Sequence, residues 1–379
     1  MLININDLGL QRPTWAEINL DILHSNYVEA RNAVAPARVL AVVKSDGYGH
    51  GAVAVARELE KAGVECFGTA TALEAVELRD AGIQTPIVLL SGMAPSQIPL
   101  LLKYQFIPAV YNFEFLHALK EFVESHRQQV SVHIKVDTGM GRLGFTPEDA
   151  ARAFDLTGPN IRIDGLFTHF ANADVSDDPY TKAQLDRFLD FVRRHNKQVR
   201  YLHAANSAAV INYPESHLDL VRPGILLYGV SPFPDRPIPQ KPILSLKSKI
   251  VSLHTISKGD TIGYGRNFTA GRESIIATIP FGYADGLRRA LSNRLEVEIC
   301  STMCRIAGNI SMDLCMADVT DIADRVKIYD TVTFLGPRTI CWDWAKLLRT
   351  LPYEITCLIG ARVPRVYYKA GQLHDIYYP

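Results

Sequence analysis

Val39-Leu40-Ala41-Val42-Val43-Lys44-Ser45-Asp46-Gly47-Tyr48-Gly49-His50-Gly51 begins as an apolar run, ends that run in one lysine and continues into a glycine-rich turn. Val55, Leu59 and Ala62 then mark one face of a helix, and Gly63 stands where a helix end favours glycine. The stretch is one buried strand, a turn and a helix. A lysine at the end of a buried strand is costly unless it is paired or chemically used. Burial lowers an amine's pKa and makes it a nucleophile towards aldehydes. A strand-end lysine reaching solvent is the plainer reading, and the residues around Lys44 decide against it.

The same unit recurs along the chain. Strand candidates are Val39–Lys44, Cys66–Ala70, Pro86–Leu90, Phe106–Val110, Val130–Val136, Ile161–Phe170, Val199–Ala204 and Leu220–Tyr228. Helical patterns lie between them: Phe115, Leu119, Phe122 and Val123 share a face, and Thr146-Pro147-Glu148-Asp149 reads as an N-cap with proline at the first helical position. Eight βα units predict an α/β fold with an N-terminal (β/α)8 TIM-type barrel, a doubly wound sheet being the alternative. Thr14–Val34 reads as an extra strand and helix leading in.

After Tyr228 the pattern changes. Ser231-Pro232-Phe233-Pro234-Asp235-Arg236-Pro237-Ile238-Pro239 reads as a linker. Beyond it stand short β-type runs at Lys249–Ile256, Ser274–Pro280, Arg294–Ile299, Met312–Val319 and Thr331–Phe334. The expected organisation is a barrel over 12–242 and a mainly β C-terminal domain over 243–379, with residues 1–11 as a candidate to pack against the latter.

Forty basic residues balance forty acidic ones, so charge gives no footprint for nucleic acid or anionic membrane. No apolar run is long enough to span a bilayer. Met1–Asp7 lacks the basic region and apolar stretch of an export signal. The cysteines, Cys66, Cys300, Cys304, Cys315, Cys341 and Cys357, stand in apolar contexts without a C-x-x-C pair. They read as reduced thiols, and no metal site is expected. A cytoplasmic protein is expected.

A barrel carries its active site at the C-terminal ends of its strands. Lys44 ends the first strand, Lys135 and Asp137 the fifth with Arg142 in the loop after it, and His169 the sixth. Asn206 and Ser207 follow the seventh, and Arg222 and Gly224 belong to the eighth. In the fifth strand Val130, Val132, Ile134 and Val136 alternate with Ser131, His133, Lys135 and Asp137, so Lys135 is expected to point into the barrel. A lysine there needs an anionic partner or a modification. Gly139-Met140-Gly141-Arg142-Leu143-Gly144 matches G-x-G-x-x-G, yet it stands in the fifth unit and its helix opens later, at Thr146-Pro147. A lone match of this kind is weak. The glycines are better read as a loop that returns Arg142 to the mouth.

Val43–Gly51, Lys135–Gly144, Arg222-Pro223-Gly224-Ile225, Gly263-Tyr264-Gly265 and Ser311-Met312-Asp313 together resemble the alanine racemase family, and the resemblance covers nearly the whole chain. It implies pyridoxal 5'-phosphate as cofactor, interconversion of L- and D-alanine by two bases, D-alanine for peptidoglycan, and a homodimer whose sites combine one subunit's barrel with the other's β domain. By resemblance, Lys44 carries the cofactor and is one base, and Tyr264 of the partner subunit is the second. His169 and Arg222 support that tyrosine, with Arg222 also facing the pyridine nitrogen. Tyr48, Ser207 and the amides of Gly224 and Ile225 hold the phosphate. Arg142 clamps the substrate carboxylate, helped by Met312, with Asp313 behind it or simply capping its turn. Tyr283 is implied as an entrance gate, packing at the dimer interface being its plainer role. Lys135 is expected to be carbamylated. Ser45 and Gly47 stand where the family often has alanine, and Ala361, before Arg362-Val363-Pro364, stands where many members have tyrosine. That last departure keeps open a racemase for serine or a broader set of amino acids. A barrel-only cofactor carrier lacks the second domain, and a related decarboxylase wants an acid where Arg222 stands.

Overall fold

The computed structural model describes residues 12–195 and 199–379. They form two compact units: residues 12–22, Gly49–Gly51 and Lys241–Pro379 in one, Leu23–Tyr48 and Ala52–Gln240 in the other. Strand β1 (Thr14–Asn19) belongs to the first. The second contains β2 (Arg38–Val42), β3 (Cys66–Thr69), β4 (Ile87–Leu89), β5 (Ile107–Val110), β6 (Val130–Lys135), β7 (Ile161–Phe167), β8 (Tyr201–His203) and β9 (Leu220–Val221).

These eight strands pair in parallel in the order β8-β7-β6-β5-β4-β3-β2-β9. Between the two ends of that row, Asp219 donates its N–H to Leu202 O at 3.1 Å and Arg222 to Ala205 O at 2.9 Å, drawing the sheet into a ring. All eight expected strands are present, and consecutive neighbours leave no strand-order reversal of the kind a doubly wound sheet requires. β3, β4 and β5 are almost wholly buried, as strands covered on both faces must be. The intervening helices turn one apolar face inward: Ala52–Lys61 buries Val55, Ala56 and Leu59, and Phe113–Ser125 buries Phe115, Leu116, Leu119 and Val123. The predicted cap forms, with Thr146 Oγ1 accepting from the Asp149 N–H at 3.1 Å.

The other unit is mainly β. Its largest sheet has seven strands, in the order Thr302–Arg305, Glu296–Ile299, Thr331–Leu335, β10 (Leu244–Lys249), β1, Arg365–Lys369 and Gln372–Tyr377. The sequence assigned residues 12–22 to the barrel, but β1 is an interior strand here, antiparallel to β10 and parallel to Arg365–Lys369. Trp15, Ala16 and Ile18 are buried within this unit, and Thr14 bonds Ser248 at 2.7 Å. The placement expected for residues 1–11 lies outside the described residues. The expected run Lys249–Ile256 divides into the end of β10 and a strand at Ser252–Ile256, and Met312–Val319 shortens to Cys315–Asp318, leaving Met312 in a loop. Two short helices, Cys341–Leu348 and Pro352–Cys357, also belong here.

Candidate active site

Lys44 follows β2 and is half-buried. Ser45, Asp46, Gly47 and Tyr48 then wind left-handed, with φ of 55°, 51°, 60° and 53°. Each non-glycine residue in that conformation costs roughly 1–2 kcal/mol. The turn is held by Gly47 N–H to Val43 O at 2.9 Å, Ala52 N–H to Asp46 Oδ1 at 2.8 Å and Ser45 N–H to Glu74 Oε1 at 2.8 Å. Strain sustained by several bonds beside one lysine is characteristic of a functional turn.

The other strand ends bring further cations towards it. Burial, followed by the charges of Arg222, Arg142, Lys135 and Lys44, holds the His169 imidazole well below its ordinary value. Lys135 points inward as expected and is only 5% exposed, with Nζ 5.4 Å from the centre of the Phe167 ring. Burial, and then Arg222 and Arg142, push its amine down to about 8. Arg142 is exposed and forms no ion pair among the described residues. Asp137, two residues from Lys135, turns its carboxylate into its own loop. It accepts from the N–H groups of Gly139 at 2.9 Å, Met140 at 2.8 Å and Gly141 at 2.9 Å. The amides that a dinucleotide reading would need are therefore spent on the chain's own acid.

Arg222 is the hub of the mouth. Nη1 donates to His203 Nδ1 at 2.9 Å, while Nη2 donates to Thr168 O and Ala204 O at 2.8 Å and reaches His169 Nδ1 at 3.2 Å. Every one of these acceptors is neutral, and burial pushes the guanidinium down to about 9. Its Nε–H has no acceptor among the described residues. Beside it, Ser207 Oγ accepts from the Gly224 N–H at 2.8 Å and more weakly from Leu226 at 3.4 Å. The N–H of the buried Ile225 finds no acceptor among the described residues. Gly224 lies against Tyr48: a Cβ there would come 2.3 Å from the phenolic oxygen. The sequence missed His203, although a histidine at the end of the seventh strand carries the same signal as His169.

The remaining expected site residues belong to the β unit. Tyr264 is 75% exposed and lines a cleft of about 850 Å³ with Tyr283, Arg288, Arg289, Ile310 and Ser311. Tyr283 and Ala284 donate their N–H groups to Ser311 O and Met312 O, each at 3.0 Å, tying the Tyr283 loop to the Met312 loop. Gly282 allows this, because a Cβ there would come 2.3 Å from Met312 O. The Met312 N–H has no acceptor among the described residues. Asp313 pairs with Arg362 at 2.7 Å. Arg362 and Arg12 also converge on the buried Asp285, at 2.8 and 2.6 Å. Ala361 is exposed on the turn before Arg362.

Among the described residues no group of three or more His, Cys, Asp or Glu could hold a metal, and no helix is long and apolar enough to cross a membrane. A parallel barrel with reactive cations at its mouth, joined in sequence to a β unit, is the architecture of an enzyme. Family models described as alanine racemase, N-terminal domain and C-terminal domain match residues 18–232 and 243–367. An alanine racemase of Desulforamulus reducens is 40% identical over 94% of this chain and 100% of its own length, and one of Clostridium tetani is 41% identical over 96% and 98%. The structure superposes on an alanine racemase of Clostridium difficile 630 with a TM-score of 0.93, at 35% identity over 97% of this chain and 99% of that one. With the Bacillus anthracis alanine racemase solved with bound L-Ala-P the TM-score is 0.90, at 30% identity over 97% and 98%. The chain belongs to the alanine racemase family, and so to the isomerases.

Proposed function

We propose that this racemase interconverts L- and D-alanine with pyridoxal 5'-phosphate, using Lys44 and Tyr264 of the partner subunit as bases on opposite faces of the substrate, and that it supplies D-alanine for peptidoglycan in the cytoplasm. The observation that carries the reading is the barrel mouth. Among the described residues Arg222 bonds only neutral acceptors there, and Lys44, Lys135 and Arg142 all act on the same histidine. Such a cluster suits a ligand bringing a carboxylate for Arg142, a ring nitrogen that accepts from Arg222 and an aldehyde for Lys44.

The residues present fit that cofactor. Ile225 offers an uncommitted amide, Ser207 keeps its hydroxyl hydrogen while its oxygen accepts from Gly224, and Tyr48 packs where any side chain at position 224 would intrude. Ile225, Ser207 and Tyr48 would hold the phosphate, while the Gly224 amide, expected to do so too, is given to Ser207 Oγ and orients that hydroxyl. Arg222 would face the pyridine nitrogen, and a donor-only guanidinium leaves that nitrogen unprotonated. When bound, pyridoxal phosphate supplies an electron sink that makes an amino acid's α-proton removable.

The chain's own residues do the rest. Lys44 receives or returns the proton on one face. A tyrosine ordinarily keeps its proton to about pH 10, so Tyr264 needs help to act as a base. Arg222 only donates, so His169 Nδ1 accepts and the neutral ring carries its proton on Nε2. That N–H is free to donate to the phenolate oxygen of the partner's Tyr264. Arg142 would clamp the substrate carboxylate, with the Met312 amide and Asp313 of the partner forming the opposite wall and Tyr283 gating entry. We also propose that Lys135 is carbamylated: an amine lowered to about 8 is partly neutral near pH 7.5 and can take up carbon dioxide. The resulting anion would orient Arg142.

A racemisation assay over a panel of amino acids tests the activity. Alanine should be turned over fastest and serine more slowly, and failure to racemise alanine would reject the reading. For Lys135, a bare amine at neutral pH with carbon dioxide present would reject the modification.

A further inference from the structure

Arg222 also dictates the protons on two histidines that the scheme above leaves unused. A guanidinium has no acceptor, so His203 Nδ1, 2.9 Å from Nη1, must accept. Neutral His203 then carries its proton on Nε2. That atom lies 2.9 Å from His133 Nδ1, which must accept in turn, leaving the His133 proton on Nε2. There the chain stops, because His133 Nε2 is buried without a hydrogen-bond partner among the described residues. Protonating either ring would set a donor against a donor.

The packing holds both rings in this arrangement. His203 stacks on Phe167 with centroids 4.7 Å apart and planes 6° apart, and His133 meets His203 edge-on at 5.0 Å. Gly165 lies against His133, since a Cβ there would come within 2.8 Å of three ring atoms. Tyr201 packs against the same ring at 6.2 Å. Burial, then the Arg222 charge, holds His133 down to about 3, and the same causes hold His203 well below its ordinary value.

We propose that His203 and His133 are positioning residues, forming a one-way donor chain from Arg222 through His203 to His133 that fixes the plane of the guanidinium. An acceptor beyond His203 Nε2–H polarises that ring and makes Nδ1 a better acceptor for Arg222. With Nη2 taken by two carbonyls and His169, the chain secures the other arm and leaves Nε–H with a set direction. The tautomers follow from the geometry alone; the consequence for the cofactor rests on the role of Arg222 proposed above.

Nitrogen-15 NMR of histidine-labelled protein reads the tautomers directly. Both rings should be Nε2–H and unchanged between pH 6 and 9, whereas an Nδ1–H signal, or titration of either ring in that range, would overturn the chain. Three variants test its effect on the site. His133→Asn keeps an acceptor near the place of Nδ1, His133→Leu removes it, and Gly165→Ala pushes the ring away. Asn should retain the absorbance of bound pyridoxal phosphate and its pH profile. Leu and Gly165→Ala should weaken cofactor affinity about tenfold, as loss of a buried acceptor does, and alter that profile. If Asn and Leu behave alike, His133 only packs and the positioning role is wrong. If the wild type binds no pyridoxal phosphate, the cofactor reading fails, while the NMR tautomers still decide the chain.

Discussion

The molecule contains two arginine clusters that are wired in opposite ways. In the β unit Arg12 and Arg362 close on Asp285, a carboxylate only 1% exposed, and Arg362 adds Asp313. At the barrel mouth Arg222 bonds no acid among the described residues, only carbonyls and imidazoles. The effect on the guanidinium differs accordingly: Arg362 is raised by its bonds to Asp313 and Asp285, whereas Arg222 is lowered by burial. Cations neutralised by the chain's own acids hold loops in place. A cation left to neutral partners keeps its charge uncompensated by the chain's own acids.

Substitutions should therefore damage the two clusters in different ways. The largest effect belongs to Lys44→Ala, which should lower racemisation by about 10⁴-fold or more in a steady-state assay, since it removes both the cofactor's attachment and a base. Tyr264→Phe should cost about 10²–10⁴-fold. It should also leave solvent-deuterium exchange at Cα surviving better from one enantiomer than from the other. Equal loss from both would break the assignment of faces.

The histidines of the mouth sharpen the comparison through pH. His133, His169 and His203 are all lowered in the folded protein, so the unfolded chain binds more protons below about pH 6.5. Their contribution is intact above that pH and is lost as pH falls. Stability should therefore fall as pH drops from about 6.5 towards 5. Denaturant titrations across that range measure the slope, and a flat profile would mean that the rings are protonated in the fold.

Asp285→Asn should cost a smaller amount, about 2–3 kcal/mol of stability, because both arginines are part-exposed and recover some hydration. It should leave the absorbance of bound cofactor unchanged, so a lost cofactor signal would break the distinction between structural and functional arginines. The smallest effect is expected from Ala361→Tyr, which should lower the serine-to-alanine ratio of kcat/KM by a few fold, within the reach of one pocket wall. An unchanged ratio would show that Ala361 does not face the substrate.

How far the sequence could be read depended on locality. The barrel was legible because each strand–turn–helix unit carries its own signals, from the lysine-ended run at Val39–Lys44 to the Thr146 cap. Lys135, His169 and Arg222 were legible as polar residues closing apolar runs. The strand at Thr14–Asn19 was misassigned because its partners, Leu244–Lys249 and Arg365–Lys369, lie more than 200 residues away, and nothing local announces so distant a pairing. The left-handed turn at Ser45–Tyr48 was hidden too, since only Gly47 among its residues favours that conformation. His133 showed its inward phase in the alternation of its strand, but its link to His203 exists only once the barrel closes.

Of the two lysines that act on His169, Lys44 is the one proposed to take the cofactor. Lys135, with its lowered pKa, would compete wherever its amine is left uncarbamylated. Borohydride reduction of the protein with pyridoxal phosphate, followed by peptide mapping, should place the pyridoxyl group on Lys44 alone. A pyridoxyl group on Lys135, or on no lysine of the barrel, would contradict the account.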